Sequence, residues 1–189
     1  MDEQHYLVPK HHKGTKKDLA HLVNQDTVAD AEDWFVIAKD RLLDVNNWGK
    51  HMAALLVVFQ LTDAHAKEIH RHHARKGDYI KIAKEGLEQW LLIDAIEYDD
   101  YPDIDIESFA LHLKTGSGPL QKATDYTGAT GTFVIDRKGK HIIANYHGRV
   151  GSGNTDVTTL AGDSWLGIPF ERWHNLIKNL IIPAALKQA

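Results

Sequence analysis

The side chains of this chain best equipped for chemistry sit near its end. Asn145-Tyr146-His147-Gly148-Arg149 closes an alternating run, and Gly151-Ser152-Gly153-Asn154 follows. Arg149 can grip a carboxylate or phosphate through two parallel hydrogen bonds, and a glycine-rich loop can present backbone N–H groups to the same anion. His147 is the candidate general acid or base. The competing reading is that the glycines only turn the chain out of a sheet and that Arg149 pairs with an acid, since Gly-Ser-Gly-Asn is ordinary turn chemistry. The loop lacks the Gly-Lys-Ser/Thr of a nucleotide-binding loop and is not the dinucleotide fingerprint.

His70-Arg71-His72-His73 is the second cluster. Neutral imidazoles ligate zinc, copper or nickel, and His70 and His72 share a side if the segment is extended. No third ligand is fixed by the sequence, and Arg71, Arg75 and Lys76 repel a cation. The expectation is a basic surface loop and no metal, with the acidic stretch at 94–107 as its simplest internal partner. That stretch holds seven acidic side chains and no basic one. It lacks the glycine of a calcium-binding EF-hand loop, and nothing marks two of its acids as a catalytic pair. A solvated acidic turn is expected. None of the serines Ser108, Ser117, Ser152 and Ser164 lies in a Gly-x-Ser-x-Gly elbow.

Composition narrows the classes. There is no cysteine, which excludes thiol catalysis and Cys-ligated metal or iron–sulfur sites. The net charge of −4 argues against a protein built to grip nucleic acid. The first residues, Met1-Asp2-Glu3-Gln4-His5, do not read as a signal peptide, and no apolar run approaches the roughly 20 residues of a membrane span. A cytoplasmic protein with no membrane partner and no cofactor is expected. With 43% hydrophobic residues the chain can build a core without staples.

These side chains need elements to position them. Residues 1–25 read as a polar arm with a short helix over 16–24, from the spacing of Leu19, Leu22 and Val23. Residues 26–189 read as one domain. Thr27 and Asp30 form a capping box, and Ala31, Trp34, Phe35, Ala38 and Leu42 give a helix one apolar stripe. Strands are predicted over 55–62, 79–83, 89–98, 106–114, 130–136 and 141–149, with a turn at Glu85-Gly86 and another at Asp136-Arg137-Lys138-Gly139. That last turn would put Phe133, Ile135 and Ile143 on one face and Val134, Ile142, Ala144 and Tyr146 on the other. A final helix starts at Pro169, buries Phe170, Trp173, Leu176, Ile177, Leu180 and Ile181, and ends near Ile182 before Pro183. Strands so closely spaced favour antiparallel pairing. The fold class is therefore α+β: an antiparallel sheet of about six strands on a C-terminal helix, with helices before the sheet.

This order of elements, from the helix over 27–42 through the hairpin to the helix over 169–182, resembles the START-like, helix-grip (SRPBCC-type) domains. It departs from them in lacking a convincing first strand before the early helix. The resemblance implies a sheet curled around the last helix over an apolar pocket. Asp44-Val45-Asn46-Asn47-Trp48, Gly77-Asp78-Tyr79-Ile80-Lys81-Ile82 and Tyr146-His147-Gly148-Arg149 are also similar to phrases in uncharacterised bacterial proteins, which carry no activity with them.

Three functions fit. The first is a module binding a small apolar molecule with a polar or anionic end, walled by Trp90, Phe133, Tyr146 and Trp173 and contacted by Asn145, His147 and Arg149. Alternation already sets Tyr146 on one face and Asn145 and His147 on the other. The second is an enzyme on the same scaffold using His147. The third is a protein with a filled core that binds a partner or forms a homo-oligomer.

Overall fold

The structure is a computed structural model that describes residues 5–8, 10, 14–54, 56–120, 129–151, 160–161 and 163–182. Seven strands form one sheet: β1 (Gly14–Asn24), β2 (Val57–Thr62), β3 (Tyr79–Lys84), β4 (Leu87–Tyr101), β5 (Ile106–Gly116), β6 (Ala129–Lys138) and β7 (His141–Gly151). Their order is β1-β7-β6-β5-β4-β3-β2, and every neighbouring pair is antiparallel. Strands β2 to β7 form a meander, and β1 returns to the free edge of β7. Helices α1 (Val28–Leu43) and α2 (Trp48–His51) stand between β1 and β2, and α3 (Phe170–Ile181) follows the sheet. Two-residue strands β8 (Leu160–Ala161), β9 (Ser164–Trp165) and β10 (Ile168–Pro169) make a small separate sheet before α3. The α+β class stands.

The capping box forms as expected. Asp30 N–H donates to Thr27 Oγ1 at 3.0 Å, and Thr27 N–H donates to Asp30 Oδ2 at 3.2 Å. Helix α3 begins after Pro169, and the six apolar residues of its predicted stripe are all buried. Arg41 of α1 ties the two helices together. Its Nη1 lies 3.0–3.1 Å from the carbonyls of Asn179, Leu180 and Ile182, the unpaired acceptors at the end of α3.

Two sequence expectations are corrected. The first is the short helix over 16–24, which is strand β1. The spacing of Leu19, Leu22 and Val23 fits a helix, but the burial has period two: Lys17, Leu19, His21 and Val23 are half-buried, while Leu22 on the opposite face is 52% exposed. Eleven residues pair with β7, so tertiary pairing overrides local spacing. The sheet thus has seven strands, and the first strand that the helix-grip order requires is present.

The second is the turn between β6 and β7. Lys138 pairs with His141, so the turn is Gly139-Lys140, with Gly139 at φ +56°. A one-residue shift of a turn changes which side chains share a face. Phe133, Ile135, Ile142, Ala144 and Tyr146 all face the helices, and Val134 and Ile143 face away.

The core lies between the inner face of the sheet and the three helices. Its centre is aromatic. Trp173 of α3 stacks on Tyr146 at 6.0 Å and meets Trp165 at 4.7 Å, Phe133 at 5.9 Å and Trp48 at 6.4 Å. All five rings are fully buried. Trp165 reaches the sheet because Gly131 leaves room for it: a Cβ there would collide with the indole. Among the described residues no helix is long and apolar enough to cross a membrane.

Candidate binding site

The outer face of the sheet, away from the helices, carries the polar side chains. Four of them stand in one row across four strands. His112 of β5 is opposite Thr132 of β6, Thr132 is opposite His147 of β7, and His147 is opposite Asp18 of β1. Alternation puts them on the same side, because the intervening Leu111, Leu113, Phe133 and Tyr146 enter the core.

At one end of the row, His147 Nδ1 lies 2.7 Å from Asp18 Oδ1, and Arg149 Nη1 donates to the same oxygen at 2.6 Å. Asp18 accepts only, so His147 carries its hydrogen on Nδ1. Its Nε2 is buried and has no hydrogen-bond partner among the described residues. Burial lowers the His147 pKa, and the Asp18 carboxylate offsets part of that. Burial alone would raise the pKa of Asp18, but hydrogen bonds from Arg149 and His147 bring it below the ordinary carboxylate value. The imidazole is thus held neutral, with an oriented lone pair. Arg149 pairs with an acid, as the simpler sequence reading had it. The glycine-rich loop from Ser152 onward lies outside the described residues.

At the other end the N-terminal arm covers the sheet. His5 Nδ1 accepts the Leu7 N–H at 3.3 Å, so Nε2 carries the hydrogen and donates to Asp136 at 3.0 Å. Asp136 also accepts from Ser108 Oγ at 2.6 Å. Leu7 and Val8 are buried on Ala110 and Val134 and form a second, smaller apolar cluster. Asn145 faces Asp136 at 3.5 Å.

Beside the arm lies a groove of about 490 Å³. Tyr6, Leu7, Val8 and Lys10 form its arm side, and β4, β5 and β6 form its floor. A β-bulge in β4 shapes it. The register shifts between Ile93 and Ala95, so Asp94 and Ala95 both line the groove, next to His112. Lys114 Nζ pairs with Asp94 at 2.9 Å. His112, which is 8% exposed, has Nδ1 3.3 Å from Thr132 Oγ1 and Nε2 3.5 Å from Glu97 Oε2. That Nε2 is buried without a hydrogen bond among the described residues. Sequence inspection missed His112 because it lies in no motif. The available signal was its place in Ser108, Ala110, His112 and Lys114, the outward set of a strand whose other side is apolar.

The residues named from sequence fall in different places. Asn145, His147 and Arg149 share the outer face; Tyr146 and Trp173 are in the core with Phe133. Trp90 is on the outer face of β4, half-buried under Gly118 and 5.8 Å from Lys81 Nζ. The expected pocket walls and polar contacts therefore do not converge. The His70 to His73 loop pairs with acids at the C-terminal end of α1 rather than with the 94–107 stretch: His73 lies 3.2 Å from Asp40 in α1 and His72 3.5 Å from Asp44, which caps it, while Arg71 pairs with Asp78. The acidic stretch is not a plain solvated turn. Most of it continues β4, and Asp105 and Glu107 hold the buried Arg137 at 2.6 Å each. Among the described residues no three His, Asp or Glu side chains are grouped to hold a metal ion.

Neither a family model nor a curated protein matches this chain. Its fold matches a hypothetical protein of Helicobacter pylori with a TM-score of 0.54 at 10% identity, over 88% of this chain and 86% of that one. At that identity the likeness is one of fold. Weaker likenesses include ginseng major latex-like protein 151 from Panax ginseng (TM-score 0.47, 11% identity, 90% of this chain and 100% of that one) and truncated norcoclaurine synthase from Thalictrum flavum (0.43, 9%, 91% and 95%).

Proposed function

We propose that this protein is a binding module for a small, largely apolar molecule with one polar end, and that the molecule lies in the outer-face groove under the N-terminal arm. The observation that carries this reading is a groove about 490 Å³ in volume beside His112, whose buried Nε2 makes no hydrogen bond among the described residues and has Glu97 Oε2 3.5 Å away. Small-molecule pockets fall in a range of about 300–1,000 Å³ and combine apolar walls with a few convergent polar groups. A buried polar atom without a partner costs about 1–3 kcal/mol, so its retention favours a ligand that satisfies it. The inner face supports this location less well, since its aromatic rings pack on one another. Native mass spectrometry of the purified protein, with metal analysis of the same sample, tests the reading. A retained small molecule that is lost in Val8→Arg supports it; a retained molecule unaffected by that change places the site elsewhere.

A second reading, an enzyme using His147 as general base, is supported by the Asp18-oriented imidazole with its free Nε2. In that case His147→Ala abolishes turnover, whereas in a pure binding module it leaves the groove's affinity nearly unchanged.

A further inference from the structure

We propose that the protein forms a two-fold dimer by antiparallel pairing of β1 with β1 of a second copy. The observation that carries this is a difference between the two edges of the seven-stranded sheet, and it is independent of the groove.

The edge at β2 is closed. Asn46 Oδ1 accepts the Leu61 N–H at 2.7 Å, and the Ile69 N–H donates to the Leu61 carbonyl at 2.8 Å. The N–H groups of Val57 and Asp63 are taken by the carbonyls of Ala54 and Lys67. The edge at β1 is open. The Gln25 N–H donates to the Lys140 carbonyl at 2.9 Å, in continuation of the register that sets Asn24 opposite His141. Alternation along an antiparallel ladder then directs the backbone of Thr15, Lys17, Leu19, His21 and Val23 at β7, and that of Lys16, Asp18, Ala20, Leu22 and Asn24 outward. Among the described residues none of those outward N–H groups has a partner. Of the outward carbonyls only that of Ala20 is approached, by His174 Nε2 of α3 at 3.3 Å, which leaves it a second lone pair.

Strand β1 runs for 11 residues without a bulge or a proline, and from Ala20 to Asn24 it carries no Lys, Arg, Asp or Glu. Sheets protect exposed edges with charges, bulges or proline, and an edge without them is a template for another strand. Here the two lysines stand at one end only.

The residues of β1 select the strand that pairs with it. A two-fold axis at Ala20 sets Lys16 opposite Asn24, Lys17 opposite Val23 and Asp18 opposite Leu22 of the second copy. All the outward residues then pair, and no two like charges face each other. A parallel, in-register arrangement would set each lysine beside its own copy. Ala20, small and exposed, lies at the axis, and Leu22, 52% exposed, gains a neighbouring strand. The contact is isologous and the β2 edges stay closed, so assembly ends at two.

Sedimentation velocity of the full chain over a hundredfold range of concentration tests this. The expected result is one reversible monomer–dimer step and no larger species. Ala20→Lys and Ala20→Glu each set like charges against each other at the axis, so each should weaken the dimer at least tenfold, and mixing the two should restore it as a heterodimer. Should a charge at this position disturb β1 itself, Ala20→Cys gives a second reading. The chain has no cysteine, and Cα atoms about 5.5 Å apart at a hydrogen-bonded pair allow a disulfide between copies under mild oxidation. Leu22→Cys, which faces Asp18 of the second copy, should stay reduced. A chain that is monomeric throughout, a dimer that Ala20→Lys and Ala20→Glu leave unchanged, a mixture that does not re-form it, or equal cross-linking at positions 20 and 22 would overturn the proposal.

Discussion

Asp18 and His147 meet across two paired strands, Oδ1 to Nδ1 at 2.7 Å, on the face of the sheet that no helix covers. The pair joins β1, whose leucine spacing fits a helix, to the strand that holds the His-Arg motif. The burial of His147, which the pair only partly offsets, makes stability depend on pH. Burial holds His147 below its ordinary value of 6.5, so between the lowered value and 6.5 the unfolded chain binds a proton that the folded chain does not. The contribution is complete above pH 6.5 and is lost as pH falls through the window beneath it. His21, lowered chiefly by burial, acts in the same direction. Urea midpoints should therefore rise between pH 5 and pH 7, and His147→Gln should flatten part of that rise. An unchanged slope in the variant would show that His147 is not the group responsible.

Gly131 should not tolerate a side chain. A Cβ there would collide with the ring of Trp165, and overpacking a tight core costs about 1–3 kcal/mol. Gly131→Ala should lower the denaturant midpoint accordingly, and Trp165→Leu in the same chain should recover part of the loss. Additive losses in the double variant would mean that the two positions are not in contact.

Much of the core could be read from the chain, and the reasons are local. Thr27 with Asp30 announces a helix start because the capping hydrogen bonds are made within one turn. The stripe from Phe170 to Ile181 announces α3 because a 3.6-residue period has no other use. Leu19, Leu22 and Val23 misled because β1 is fixed by pairing with residues more than a hundred positions away. The β6–β7 turn misled by its placement, since Asp136 looks like a turn starter while it serves as the acceptor for His5 and Ser108. His112 could not be read as a site. Its partners Thr132 and Glu97 lie on neighbouring strands, and the groove beside it exists only because the arm folds over the sheet.

The half-buried Arg41 holds α3 in place. Its guanidinium serves three carbonyls and sits 5.1 Å from the Trp34 ring. Arg41→Met should cost about 1–3 kcal/mol, the range for hydrogen bonds from a charged group. Arg41→Lys should recover only part, because an ammonium cannot stack on the Trp34 ring as the guanidinium plane does. Chemical denaturation reads both. Full recovery by lysine would show that charge alone matters.

The arm should come away as a unit. Val8→Arg places a charge on the Ala110–Val134 patch, so hydrogen exchange at the Leu7 and Val8 amides should speed up sharply. The tryptophan fluorescence of the core, on the other face, should not change. A shifted emission maximum would mean that the arm supports the core as well as the groove.

The most direct test of the account is an NMR titration of 2-naphthol into the intact protein, following backbone amides and imidazole nitrogens. The account predicts saturable shifts at Val8, Ala95, Thr132 and the His112 ring, with Trp173 and Tyr146 unmoved. Shifts centred on Trp173 and Tyr146, with His112 silent, would contradict it.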